Sequence, residues 1–227
     1  MSDATRSKPL AAILAIAPAV LAVALVAHPY IPGRLPNAAA IAAAVAADTT
    51  RWGLVHLATG VASGLLVLAF LAIRAHLRDA VGDRRSAVGV PFVVIGSTLF
   101  TLLPAMEFAP LAAAETGADL AGIEAAQGAL ATWFLPVLAV GALTFAIGVV
   151  AFIGGIVGAH TLSRRLKVVV VAGLTVMAVS RFVPLAAVQF YVQSAAALLA
   201  LWPLAHHLWR HPTARSDVAA GRPAPAV

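Results

Sequence analysis

Residues 52–73 read Trp-Gly-Leu-Val-His-Leu-Ala-Thr-Gly-Val-Ala-Ser-Gly-Leu-Leu-Val-Leu-Ala-Phe-Leu-Ala-Ile, without one charged side chain. At about 1.5 Å per residue such a helix is about 33 Å long, enough to cross a hydrocarbon layer about 30 Å thick. The apolar residues fall on every face. A barrel strand would instead alternate apolar and polar positions over about ten residues. A helix this apolar all round belongs in a membrane.

Comparable stretches flank it on both sides. Apolar runs occupy about 9–27, 87–106, 133–158, 168–185 and 187–209. Together they predict an all-α polytopic transmembrane bundle of six helices spanning residues 9–209. A short polar head, 1–8, precedes it, and a tail rich in Ala, Pro and Arg, 210–227, is expected to be disordered. Composition agrees: 62% of residues are hydrophobic and 11% charged, against about 25% charged in a soluble domain. Ala22-Val23-Ala24 offers a small-residue cleavage site, but the run before it is long for a secretory signal, so residues 9–27 are read as a retained first span.

The loops carry the orientation. On one side lie Arg6, Lys8, Arg74, Arg78, Arg84, Arg85, Arg164, Arg165, Lys167, Arg210, Arg215 and Arg222; on the other lie Arg34, Arg51 and Arg181. The positive-inside rule then places both termini in the cytoplasm. The high pI, about 11.1, therefore reflects topology, and no nucleic-acid partner is expected. The absence of cysteine excludes disulfides, thiolate catalysis and iron–sulfur clusters.

Two outer loops have structure of their own. His28-Pro29-Tyr30-Ile31-Pro32-Gly33 breaks the first helix, and the Ala-rich piece 37–47 then favours a surface helix too short to span. Residues 107–132 form an acidic loop whose second half, 117–130, fits another surface helix. This plan, with Pro32-Gly33 and Ala38–Ala47 before the second span, resembles that of small bacterial six-helix membrane proteins of unknown function. The resemblance implies a bacterial plasma-membrane location and carries no activity with it. The bias toward Ala and Arg points the same way, to a GC-rich bacterial genome.

Function has one conspicuous candidate. Ser180-Arg-Phe-Val-Pro-Leu-Ala-Ala-Val-Gln-Phe-Tyr-Val-Gln193 sets an arginine, two glutamines and a tyrosine in an apolar region. An ionisable group inside a membrane is costly and marks a functional question. Helix rise places Arg181 in the outer half of the bilayer, at a depth shared with Glu107, His56, Gln189, Gln193, Tyr191 and His28. An Arg181–Glu107 ion pair is expected there. The bland alternative is a packing clamp in which Arg181 snorkels to the headgroups. The functional one is an outer-facing site for a small amphiphile or lipid with an anionic head.

Other classes stay open at this stage. His28 and His56 would be the outer pair for a b-type haem, the redox alternative. A non-catalytic subunit of a membrane complex is a third. Gly60/Gly64 and Gly154/Gly158 are GxxxG pairs, which suit helix packing or a homodimer. There is no HExxH and no paired acidic residue in a span, so no carboxylate metal site is expected. Nothing in the chain identifies a catalytic residue, and an enzyme is the less favoured reading. Membrane lipids are the expected surroundings.

Overall fold

The structure, a computed structural model, describes residues 3–81 and 83–211. It is helical: α1 (Asp3–Ala27), α2 (Ala38–Ala47), α3 (Thr49–Val81), α4 (Arg85–Met106), α5 (Phe108–Glu115), α6 (Leu120–Ala129), α7 (Ala131–Gly158), α8 (Arg164–Ser180) and α9 (Gln193–Arg210), the last entered through a π-helical turn, Ala187–Val192. Among the described residues there is no strand beyond one isolated bridge, Arg34 to Leu185. The tail beyond residue 211 lies outside the described residues, and α9 runs to Arg210.

Five stretches are helical, long and apolar enough to cross a membrane: Ser7–Ala27, Thr49–Arg78, Arg85–Glu115, Ala131–Gly158 and Ala187–Arg210. The expected stretch 168–185 differs. Its helix α8 has 17 residues, starts on Arg164, Arg165 and Lys167, and stops at Ser180. Both ends have local causes. The Ser163 hydroxyl accepts from Leu166 N at 3.3 Å and so starts the helix early. Pro184 disfavours a helical Val183, so the helix ends ahead of it.

The long helices pack around a core that includes Leu14, Leu66, Phe70, Phe145, Phe152, Leu174 and Leu201. Two contacts tie α1 against α9. Trp202 Nε1 donates to Ala15 O at 2.9 Å, and Lys8 Nζ stands 5.8 Å from the Trp209 ring centre. The closest seam joins α4 to α7. A methyl group at Gly96 would stand 2.5 Å from Phe145 N, and one at Gly148 would stand 2.8 Å from Val93 N. The seam therefore runs through Gly89, Gly96, Gly141 and Gly148, and the backbones approach because no Cβ intervenes. The GxxxG residues behave differently. Gly60 meets only Thr101 at 3.7 Å, Gly154 meets the Arg85 side chain, and Gly64 and Gly158 meet nothing within 4 Å.

A second core sits over one end of the bundle. Ile31, Ile41, Ala42, Val45, Trp52, Ile123 and Ala186 are buried together, with Leu111, Ala113 and Ala114 of α5 against them. The helix expected over 117–130 is α6, which covers α2, while the first half of 107–132, expected as loop, forms α5. The Ala-rich helix is thus one side of a small cap and buries Ile41, Ala42 and Val45. Side-chain caps fix its pieces: Asn37 accepts from Ala40 N at 3.2 Å, and Asp119 accepts from Gly122 N at 2.9 Å. Leu35 N donates to Pro184 O at 2.9 Å, which joins the first outer loop to the turn after α8.

Candidate functional site

A cavity with about 110 Å³ of space open to water lies between the bundle and the cap. One buried water needs only about 10–15 Å³ on this measure, so the space suits a small headgroup. The walls are mostly apolar, with Leu21, Leu25, Leu66 and Leu103 from the bundle and Ile31, Leu35 and Ile41 from the cap. His28, His56, Glu107, Arg181, Gln189 and Gln193 all line it. Tyr191 does not. It is 39% exposed and points away from the cavity its neighbours Gln189 and Phe190 share.

Arg181 is 2% exposed and caps the C-terminus of α8. Its guanidinium carbon stands 3.6 Å from the Phe145 ring centre and 3.9 Å from that of Phe100. The cation is held between two rings, from α7 and α4. Its Nε and Nη1 have no hydrogen-bond partner. Each desolvated cation–π contact contributes about 2 kcal/mol. Burying an unpaired ion costs several kcal/mol. The rings offset much of that cost but accept no N–H hydrogen bond.

The expected ion pair is not made. Among the described residues no carboxylate lies within ion-pair distance of Arg181. Glu107 Oε1 instead accepts from Gln127 Nε2 at 3.0 Å, while Glu107 Oε2 and Gln127 Oε1 have no partner. The cause is the cap. α6 brings Gln127, 4% exposed, to the carboxylate that ends α4. Sequence reasoning missed Gln127. The available signal was a single Gln inside an otherwise small and apolar stretch of a predicted surface helix.

The histidines form a compact aromatic group. Trp52 is buried, donates from Nε1 to Glu107 O at 3.1 Å, and lies 4.4 Å from the His56 ring and 5.3 Å from the His28 ring. Phe190, on the π-helical turn, closes over His28 at 4.5 Å. π-helical turns are uncommon and concentrate at functional sites. Here the wide turn carries Gln189 and Phe190 to the cavity wall, and Gln189 Nε2 donates to Arg181 O at 3.4 Å. His28 follows the end of α1. Burial, opposed by the Pro29 carbonyl and reinforced by the Arg51 charge, lowers its pKa from 6.5 to about 4.

A haem does not fit between His28 and His56 as they stand. A metal about 2.0–2.1 Å from each imidazole holds the two nitrogens about 4 Å apart. Here Nε2 stands 3.3 Å from Nε2, with ring centres 4.8 Å apart, which leaves no gap for a macrocycle. No known protein family, curated protein or solved structure matches this chain.

Proposed function

We propose that the chain is a bacterial plasma-membrane protein that binds, and by extension transports, a small amphiphile with an anionic head. In this reading α8 is a sixth crossing, both termini are cytoplasmic, and the cap and cavity belong to the outer leaflet. The skew of Lys and Arg to one set of loops supports that orientation, as does Lys8 beside Trp209 at the start of α1 and the end of α9. The apolar walls suit an acyl chain. The open faces at Gly64 and Gly158 support a homodimer.

The observation that carries the reading is Arg181, buried with Nε and Nη1 unpartnered beside a cavity. A pure packing clamp would turn those hydrogens to a carbonyl or a carboxylate. A carboxylate or phosphate guest would accept from both, with the geometry that a guanidinium offers to such groups. Hydrogen bonds to charged groups contribute about 1.5–3 kcal/mol.

The test compares a medium-chain fatty acid with its methyl ester, binding to protein in nanodiscs. The wild type should prefer the acid by about 10- to 100-fold. Arg181→Gln, folded as judged by circular dichroism, should bind both weakly and alike. Equal binding of acid and ester by the wild type would leave Arg181 a clamp.

A further inference from the structure

His28 and His56 have the same hydrogen-bond arrangement on opposite sides of a short gap. A backbone carbonyl only accepts, so a ring nitrogen bonded to one must carry hydrogen. His28 Nδ1 donates to Pro29 O at 2.7 Å, and His56 Nδ1 donates to Trp52 O at 2.7 Å. A neutral imidazole has a single N–H. Both Nε2 atoms therefore present lone pairs, and they face each other at 3.3 Å.

That separation is hydrogen-bond distance with no hydrogen to share. Among the described residues each Nε2 has only the other as a hydrogen-bond neighbour. Trp52 and Phe190 meet the imidazoles through their rings, and the indole N–H of Trp52 is committed to Glu107 O. Two bases are aimed at one point inside a buried pocket.

We propose that His28 and His56 form a single proton site, one proton from water being held between the two Nε2 atoms so that the pair carries one positive charge. A second proton would place two cations in contact, so the pair takes up one proton and resists another. The charged and titratable groups facing the pair are few. Arg51 of α3 lies on its outer side, with Nε donating to Ala27 O at 2.8 Å. Across the cavity stand Glu107 at the end of α4 and Arg181 at the end of α8. The π-helical turn and α9 contribute only Gln189, Phe190 and Gln193, and α1 contributes Leu21 and Leu25. Arg51 and burial both hold the proton off His28, so uptake falls below neutral pH. If the anion site proposed above is right, proton and anion share one cavity, and each raises the affinity of the other by the same factor.

The experiment is nitrogen NMR of ¹⁵N-histidine protein in nanodiscs, titrated from about pH 8 to about pH 4. Both Nδ1 atoms should remain protonated throughout, while the two Nε2 signals move together as the pair gains one proton. Two independent steps, no step before unfolding, or an unprotonated Nδ1 on either ring at neutral pH would overturn the site. In His56→Phe no lone pair faces His28 Nε2, so the proton affinity of His28 should fall about tenfold or more; an unchanged step also overturns it. An alkyl sulfonate, whose head stays ionised, reads the coupling: it should bind more tightly at low pH to the wild type, and in His56→Phe that pH dependence should move about one unit lower or more. A joint proton step without that coupling would retain the proton site and remove its link to the anion, while the acid and ester comparison alone decides the anion reading.

Discussion

The charged groups buried at the cavity are held differently from the cations of the turns, Arg51 at the cap end included, whose Nε donates to Ala27 O at 2.8 Å. At the end holding the α3–α4 and α7–α8 turns, cations finish on carbonyls. Arg74 donates to Asp83 O at 3.1 Å, Arg85 to Gly154 O at 3.1 Å, and Lys167 to Val157 O at 2.9 Å. Asp83 in turn accepts from Arg85 N at 3.0 Å and Ser86 N at 2.8 Å, starting α4. At the cap end, Arg181 and Glu107 are more deeply buried yet keep unpartnered atoms, and two imidazoles point lone pairs at each other. Charges that serve only the fold are satisfied within it. On the proposed reading, the unpartnered atoms around the cavity are kept for a guest.

Three measurements test that contrast, each read as stability in detergent. The largest effect is expected from pH. His28 has a folded pKa of about 4 against 6.5 for the free group. Its lowered value makes stability full above about pH 6.5 and lost as pH falls toward about 4, the unfolded chain binding the extra proton first. At about 1.4 kcal/mol per unit the loss is about 3 kcal/mol. His28→Phe should reduce this slope, the buried His56 remaining, and an unchanged slope would assign the acid sensitivity elsewhere.

Next is Arg181→Met. Replacing a buried charge by an apolar group of similar volume is commonly neutral or stabilising by about 1–4 kcal/mol. The flexible thioether can fill the space between Phe100 and Phe145. A rise in the unfolding midpoint, with anion binding lost, is the expected pair of results. A fall would place Arg181 among the structural charges and break the contrast.

The smallest effect is expected at the other end. Asp83→Ala removes the cap of α4 and should cost about 1 kcal/mol, leaving ligand binding as it was. If Asp83→Ala and Arg181→Met changed stability alike, the two groups of charges would not differ in kind.

The helices were legible because membrane helices are written in long uncharged runs: 87–106 and 133–158 emerge within two residues at both ends, while 52–73 lies inside the longer α3, Thr49–Val81. The exceptions have local causes. Pro184 stops α8 at Ser180, so the run 168–185 overstates its helix. The π-helical turn at 187–192 leaves no trace in periodicity, being a single wide turn in an apolar stretch. The depth argument gathered His28, His56, Glu107, Arg181, Gln189 and Gln193 because helix rise is fixed, and all six line the cavity. It failed for Tyr191, since depth says nothing of which way a residue faces. It also misjudged the partners. Opposite charges at one depth suggested an ion pair, but Gln127 reaches Glu107 from α6, and the cap that places it there is not visible in hydropathy.

Trp52 has a consequence of its own. Of the four tryptophans it alone is buried, at 1% exposed, while Trp133, Trp202 and Trp209 are 50% exposed or more. Its indole lies against both imidazoles and hydrogen-bonds the backbone of Glu107. An excited indole is quenched far more by a neighbouring imidazolium than by a neutral imidazole. With the three outer tryptophans replaced by Phe, the protein would carry a fluorophore set in the wall of its own cavity. Dimming on acidification would then follow the protonation of the two imidazoles in real time, without a label.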